Sequence, residues 1–273
     1  MVAAALFSTG GAAIKACGLT DWQIAGFRSG IAALTIALLL PEARRRWSWR
    51  TLLVGCAYAS CLMSFALANK LTTAAHTIFL QSTAPLYLLL LGPLLLREPV
   101  RRRDLGYLAA LVAGLLMLLF GIAPAQATAP DPVRGNILAA FSGLSWALSV
   151  SGLRWLGRDG GGATALGAAL AGNMIAFLVA LPLALPLGAG RPVDWLVLAY
   201  LGVFQIAVAY VFLTRGLTRL PALEASLLLL VEPVLNPVFT WLVHGETPGA
   251  WAVAGGAVIL GATLVHTWRA SRA

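Results

Sequence analysis

Residues 225–246 of the chain read ASLLLLVEPVLNPVFTWLVHGE, and most of this stretch is apolar enough for the interior of a lipid bilayer. The same stretch holds the carboxylate of Glu232, followed by Pro233 and Asn236. A carboxylate at bilayer depth is costly, and a proline removes a backbone hydrogen bond from a helix. A membrane helix that keeps such residues is expected to turn them towards protein or a water-filled cavity.

The whole chain shares this apolar character. Of its 273 residues, 60% are hydrophobic and only 11% are charged, and the mean hydropathy is +0.86. A soluble domain carries about 25% charged residues, and a chain this apolar would expose too much apolar surface to water. We therefore expect lipid to surround most of the chain.

The net charge of +9 comes from short basic clusters between apolar runs. Nucleic-acid binding needs a continuous basic face, which this pattern does not provide. Cytoplasmic loops of membrane proteins are instead enriched in Lys and Arg. If the N-terminus lies in the cytoplasm, the cytoplasmic loops hold the basic clusters at 44–50, 97–103, 154–158, 215–219 and 269–272. We therefore predict a multi-pass protein of the bacterial inner membrane with both termini in the cytoplasm.

Apolar runs of about 20 residues, the length that crosses a bilayer, predict ten transmembrane helices and an all-α integral membrane fold. They lie at 1–17, 22–40, 51–70, 73–96, 104–123, 135–154, 163–187, 195–214, 221–243 and 249–267.

The two halves of the chain repeat each other. Residues 73–98 align with 221–246 so that Pro85 pairs with Pro233, and a Gly- and Ala-rich run follows each segment. A unit of five spans is odd, so its second copy would enter the membrane upside down, an arrangement common in secondary transporters. The predicted units are a first five-helix repeat at 1–123, a linker loop at 124–134 and a second five-helix repeat at 135–273.

The order of these motifs resembles the drug/metabolite transporter superfamily, EamA type. The resemblance rests on FRSGIAALTIALLL (27–40), KLTTAAHTIFLQSTAPLYLLLLGPLLLRE (70–98), GLSWALSVSGLRW (143–155) and LTRLPALEASLLLLVEPVLNPVFTWLVHGE (217–246). The first span departs from the family, because it reads LFSTGGAAIK where the family commonly has Trp-Gly near Phe7–Thr9. The resemblance implies an exporter of small metabolites, often amino acids, that uses neither ATP nor a prosthetic group.

Pro85 and Pro233 lie near the centres of the fourth and ninth predicted spans. Each proline frees the carbonyl four residues earlier, that of Gln81 or Leu229. Free backbone groups at this depth are tolerated only beside protein or a wet cavity. The pair could mark a solute site with a hinge, or two packing kinks.

Three ionisable side chains inside the spans are candidate site residues. Glu232 could carry a proton, pair with a substrate ammonium group, or fix helix contacts. Arg28 could hold a substrate carboxylate through its planar fork, or neutralise Glu232 or another buried acceptor. His76 could gate, sense pH or bind substrate, or simply hydrogen-bond locally.

Other candidates are uncharged. The central amides of three spans, Gln81, Asn173 and Gln205, could contact substrate or join helices to each other. Trp146 lies at bilayer depth, whereas the other tryptophans lie at or near span ends, where aromatic residues are usual. It could form a cavity wall with Tyr87 or Tyr210 nearby, or pack in the core.

Motifs for ATP use or hydrolysis are absent from the sequence: it has no GxxxxGK[ST], no HExxH and no Ser/His/Asp-like pattern. The three cysteines have no metal-ligand spacing. We therefore predict no enzyme activity, no catalytic residues, no cofactor and no metal.

The predicted function is export of small metabolites across the inner membrane by alternating access. Amino acids, with aromatic or bulky neutral ones as candidates among them, are the first candidate. The expected partners are a small-molecule substrate and the lipid bilayer, with protons as a candidate coupling ion. One alternative is a carrier for a nucleotide-sugar, a cationic drug or another metabolite. Another is a membrane-embedded enzyme or scaffold that transports nothing.

Overall fold

The computed structural model describes residues 1–44, 47–95, 102–121, 124–160, 162–187, 190–217, 231–270 and 272. The carbonyl of Leu229 and parts of several predicted basic clusters lie outside the described residues. The described residues are predominantly helical, with one isolated antiparallel bridge between Gln126 and Ala129. The prediction of an all-α fold is therefore confirmed for this part of the chain.

In the first half, the helices are α1 (Val2–Ser8), α2 (Gly10–Ala16), α3 (Asp21–Leu39), α4 (Trp49–Leu71), α5 (Ala74–Gln81), α6 (Ala84–Leu95) and α7 (Arg102–Phe120). A 3₁₀ turn, Pro41–Arg44, follows α3. In the second half, they are α8 (Pro132–Gly160), α9 (Gly162–Ala184), α10 (Pro192–Tyr200), α11 (Ala209–Leu217), α12 (Val231–His244) and α13 (Ala250–Ala270). A π-helical stretch, Leu201–Val208, connects α10 to α11.

Seven stretches of the described chain are long and apolar enough to cross a membrane. They are Asp21–Leu39, Trp49–Leu71, Ala74–Leu91, Pro132–Leu153, Thr164–Ala184, Pro192–Leu213 and Ala250–Arg269, and two shorter apolar helices cover Val2–Ala16 and Asp104–Phe120. A multi-pass membrane protein follows from this pattern. The count of ten spans and the inverted orientation of the halves stay predictions.

Large apolar side chains lie both inside the bundle and on its surface. Ile14, Leu111 and Ile259 are fully buried in the largest core cluster. Leu38 and Phe120, by contrast, expose 68% and 84% of their surface. Apolar groups this exposed suit a lipid environment, where water does not surround the protein.

Helices α3 and α4 each begin at a capping box. The side chain of Thr20 accepts a hydrogen bond from the backbone N–H of Gln23, and that of Ser48 accepts one from Thr51. In return, the side chains of Gln23 and Thr51 accept hydrogen bonds from the backbone N–H groups of Thr20 and Ser48. Such caps satisfy backbone donors that the first helical turn leaves without partners, and they fix the starts of α3 and α4.

The fourth predicted span is interrupted just before Pro85. Helix α5 ends at Gln81 and α6 begins at Ala84, so that Pro85 stands in the first turn of α6. Between them, the hydroxyls of Ser82 and Thr83 turn back to donate to carbonyls of α5 at 2.7 and 2.6 Å. The backbone N–H groups of the same two residues also donate to these carbonyls, at 2.9 and 3.2 Å. Backbone and side chains together therefore hold the interruption against the end of α5.

Helices α7 and α13, one from each half, meet backbone to backbone. A Cβ built on Gly255 would lie 2.9 Å from the carbonyl oxygen of Gly114 and 3.2 Å from Cβ of Met117. Small residues allow such close approach between membrane helices. A larger side chain at Gly255 would force the two helices apart.

We expect Gly255→Leu to lower the free energy of unfolding by about 1–3 kcal/mol, the usual cost of overpacking. The midpoint of thermal unfolding in detergent measures the effect. Gly261→Leu, on the same helix, is the matched control, because a Cβ at Gly261 meets no atom within 4 Å. Equal losses in the two variants would contradict the close contact.

Candidate functional site

A cavity of about 300 Å³ is lined by residues of both halves. Most of the predicted site and hinge residues line it, namely Arg28, Gln81, Pro85, Trp146, Gln205, Tyr210, Glu232 and Pro233. The structure thus brings together residues that are as much as 205 positions apart, from Arg28 to Pro233. The geometry is compatible with a binding site for a small solute, since ligand pockets start at about this volume.

Three other predicted residues do not line this cavity. His76 is buried near the start of α5, where its Nδ1 shares a 2.8 Å hydrogen bond with the hydroxyl of Thr73. The amide of Asn173 donates to the carbonyl of Ala169 in its own helix at 2.9 Å, so this bond does not join two helices. Tyr87 lies half-buried on α6. A role for these residues in binding stays a prediction without support from this cavity.

Arg28 contributes a guanidinium group from α3. Its side chain is almost fully buried, with 1% of its surface exposed, and Nη2 donates to the carbonyl of Leu62 in α4 at 2.7 Å. Within the described residues, its Nε has no hydrogen-bond partner and no ion pair joins it to Glu232. A buried guanidinium is costly unless its donors have acceptors. Arg28 is therefore suited to bind the carboxylate of a solute, to which it would donate hydrogen bonds.

Glu232 contributes a carboxylate from the first turn of α12. Its side chain is half-buried at the cavity, and no hydrogen bond or ion pair joins it to another described residue. Pro233 follows it in the same turn, and Pro237 lies further along the helix. The cavity therefore presents one positive and one negative group to a solute.

An aromatic wall stands beside these charges. Tyr58 of α4 lies between Trp146 and Tyr210, with ring centroids 6.5 Å and 5.7 Å away. Phe7 of α1 packs against the same cluster. Aromatic faces hold apolar or aromatic groups and also attract cations, so this wall suits a solute with an apolar part.

Tyr58 and Cys61 line the cavity although the sequence analysis did not select them. The amide of Gln81 donates to the hydroxyl of Ser142 at 2.8 Å and approaches the sulfur of Cys61 at 3.4 Å, so it joins α5 to α8 and α4. Tyr58 could have been found by the criterion that selected Trp146, an aromatic ring inside a span. Cys61 gave no signal, because buried cysteine is common in cores.

Two glycines in the first span leave room for amides of distant helices. A Cβ on Gly10 would lie 2.9 Å from Nε2 of Gln205, and one on Gly11 would lie 2.4 Å from Oδ1 of Asn236. Gln205 belongs to the π-helical stretch, a feature frequent at functional sites. The Gly-Gly pair is thus matched to the two polar side chains that it contacts.

Within the described part of the chain, no group of three or more His, Cys, Asp and Glu side chains could hold a metal ion. The candidate site is therefore described by its charges, amides and aromatic rings alone.

Comparison with known proteins agrees with this architecture. The model of the EamA-like transporter family matches residues 1–120 and 133–268. The uncharacterized protein PA1977 of Pseudomonas aeruginosa is 30% identical over 263 residues, which cover 91% of this chain and 87% of that protein. A protein of known crystal structure, 21% identical, shares the fold with a TM-score of 0.65 over 99% of this chain and 96% of its own. The chain belongs to the EamA-like transporter family, whose members carry small solutes across membranes.

Proposed function

We propose that this protein is a secondary transporter that exports amino acids across the bacterial inner membrane by alternating access. The observation that carries the proposal is the cavity shared by Arg28 and Glu232, a guanidinium and a carboxylate that are not paired with each other. An amino acid has a carboxylate for the first group and an ammonium group for the second.

The charge balance favours a zwitterion over the other solute classes. Buried ionised groups without partners are costly. An anionic solute such as a nucleotide-sugar would satisfy Arg28 and repel Glu232, and a cationic drug would do the reverse. A zwitterion satisfies both groups.

The aromatic wall favours an apolar or aromatic side chain on that zwitterion. Tyr58, Trp146 and Tyr210 form one side of the cavity. Its volume of about 300 Å³ suits a single small metabolite. Bulky neutral and aromatic amino acids are therefore our first candidate substrates.

The same cavity holds residues that would allow helix movement and would couple transport to protons. Pro85 and Pro233 both line it, and interrupted helices at the substrate site are typical of transporters that alternate access. Glu232 would bind a proton from one side of the membrane and exchange it for the substrate ammonium group on the other. Proton antiport would then drive export.

Counterflow in proteoliposomes with purified protein tests the proposed substrate class. Vesicles loaded with unlabelled phenylalanine or leucine are expected to take up the labelled amino acid, and empty liposomes are not. Phenylalaninamide, which lacks the carboxylate, and 3-phenylpropionate, which lacks the ammonium group, are the matched solutes and should exchange poorly. Exchange of phenylalaninamide alone would favour a cation carrier. Exchange of 3-phenylpropionate alone would favour an anion carrier.

We expect Trp146→Ala to change the choice of substrate more than the amount of folded protein. Loss of an aromatic contact costs about 0.5–1.5 kcal/mol, which corresponds to about two- to tenfold in affinity. The ratio of inhibition constants for phenylalanine and alanine in the counterflow assay measures the change. Trp251→Ala, a variant of an exposed ring outside the cavity, is the control, and an unchanged ratio in Trp146→Ala would remove Trp146 from the site.

A further inference from the structure

A buried ion pair joins the two halves of the chain away from the cavity. Nζ of Lys15, in α2, lies 3.0 Å from Oε2 of Glu246, which follows α12. The two side chains expose only 3% and 2% of their surface. The ion pair of Asp131 and Arg134 is exposed by comparison, since these side chains expose 36% and 81% of their surface.

Further hydrogen bonds connect this pair to several elements. Lys15 also donates to the carbonyls of Thr72, at 2.9 Å, and Thr128. The other oxygen of Glu246, Oε1, accepts from the backbone N–H of Ala74 at 2.7 Å. The pair therefore ties α2 and the chain after α12 to the end of α4, the start of α5 and the loop that follows α7.

The backbone around Gly245 turns Glu246 towards this network. Gly245 has a φ of 66°, a left-handed conformation that favours glycine. Its N–H donates to the carbonyl of Trp241 at 2.8 Å and so ends α12. One residue before it, Nε2 of His244 lies 2.9 Å from the carbonyl oxygen of Ala12. The end of α12 is thus held against α2.

The network and the cavity occupy different depths of the same helices. With 1.5 Å of rise per residue, Lys15 lies about 12 Å beyond the cavity residue Phe7 along α1 and α2. Ala74 precedes the cavity residue Gln81 by about 10 Å along α5. The ion pair therefore lies between the cavity and one end of the bundle, which we name the Lys15 end.

We infer that the Lys15–Glu246 ion pair is a gate that closes the cavity towards the Lys15 end. This inference rests on the proposed alternating access, because a solute can leave through that end only when the two halves separate there. A buried ion pair is stable while both partners are present, and each partner alone is strongly unfavourable in a dry site. In the separated state, water replaces the lost partner.

Single substitutions should therefore open the gate. Glu246→Gln keeps the side-chain size and the acceptor for Ala74 but leaves Lys15 without a counter-charge. Lys15→Met leaves the carboxylate of Glu246 without one. In each variant the remaining charge reaches water only when the Lys15 end is open. The double variant has neither charge, so its closed state should be less strained than that of either single variant.

The experiment measures how fast a membrane-impermeant maleimide reaches the cavity from each side. The reporter is Ser82→Cys, a cavity position, in a protein whose native cysteines are replaced by serine. Ala127→Cys, an exposed position in the loop near Thr128, shows in a parallel sample which vesicles present the Lys15 end. Labelling from that end should be about tenfold faster or more in each single variant, and slower in the double variant than in either.

Asp131→Asn, which removes the exposed ion pair near the same end, is the matched control and should leave the labelling rate unchanged. Rates equal to the parent in both single variants, or fastest in the double variant, would overturn the gate. Size-exclusion chromatography checks that each variant is folded. If Glu246→Gln does not fold, the labelling rate of Lys15→Met decides the test. Counterflow is measured separately: transport with unchanged labelling rejects only the gate, and altered labelling without transport of zwitterions rejects only the proposed substrate.

Discussion

Arg28→Met is expected to reduce counterflow of phenylalanine or leucine about a hundredfold at limiting substrate. The guanidinium of Arg28 would otherwise bind the substrate carboxylate, and hydrogen bonds between charged groups contribute about 1.5–3 kcal/mol each. Methionine has a similar volume but a shorter side chain, and it carries no hydrogen-bond donor. The measurement is the initial rate of counterflow at several substrate concentrations, which separates a weaker affinity from a slower cycle.

The same variant should not unfold at a lower temperature than the parent. Replacing a buried charge whose donors are incompletely bonded with an apolar side chain of similar size is often neutral or stabilising. Arg28→Lys is the matched control for charge, and it should recover only part of the activity, because lysine lacks the planar fork. A large loss of thermal stability together with normal counterflow would show that Arg28 is structural.

Glu232→Gln is expected to abolish accumulation of substrate driven by a pH gradient across proteoliposomes. The amide cannot bind and release a proton, although it has nearly the size of the carboxyl group. Counterflow, which needs no net proton movement, should continue at a reduced rate because the ammonium group loses its counter-charge. The measurement is uptake with and without an imposed gradient.

Glu42→Gln provides the control for this experiment, since Glu42 is an exposed carboxylate outside the cavity. Accumulation by this variant should match that of the parent protein. Unchanged coupling in Glu232→Gln would show that a group other than Glu232 carries the proton. Absence of gradient-driven accumulation in the parent protein itself would leave a facilitated carrier as the mechanism.

The sequence predicted the helices well where long apolar runs end at polar caps. The second span was predicted at 22–40 and is Asp21–Leu39, and the third was predicted at 51–70 and is Trp49–Leu71. The interruption at Thr9 and the π-helical stretch Leu201–Val208 were not predicted. They depend on which side chains of distant helices meet there, and local composition carries no signal for that.

The cavity was predictable to the extent that its residues are unusual for a lipid-facing helix. Glu232, Pro85 and Trp146 are each costly or rare at bilayer depth, and all three line it. Cys61 is an ordinary core residue and gave no such signal, whereas Tyr58, an aromatic ring inside a span, meets the criterion that selected Trp146. His76 and Asn173 are unusual in the same way as Glu232, yet they lie outside the cavity, and their hydrogen bonds to Thr73 and Ala169 are local. An unusual residue therefore indicates burial away from lipid and does not by itself identify the site.

The ion pair of Lys15 and Glu246 lay beyond prediction for a different reason. The sequence gives Lys15 no partner and shows Glu246 only as the last residue of the segment 221–246 that aligns with 73–98. Their contact joins residues far apart in the chain and depends on the turn at Gly245.

The contact between Gly114 and Gly255 restricts how the halves can move. Helices α7 and α13 touch through their backbones there, and a packed interface of this kind shifts as a unit more easily than it slides. Separation at the Lys15 end would then be a rigid-body rotation of the two halves about the contact between α7 and α13. Gly114 and Gly255, which have no side chains, would thus set the axis about which the two halves rotate.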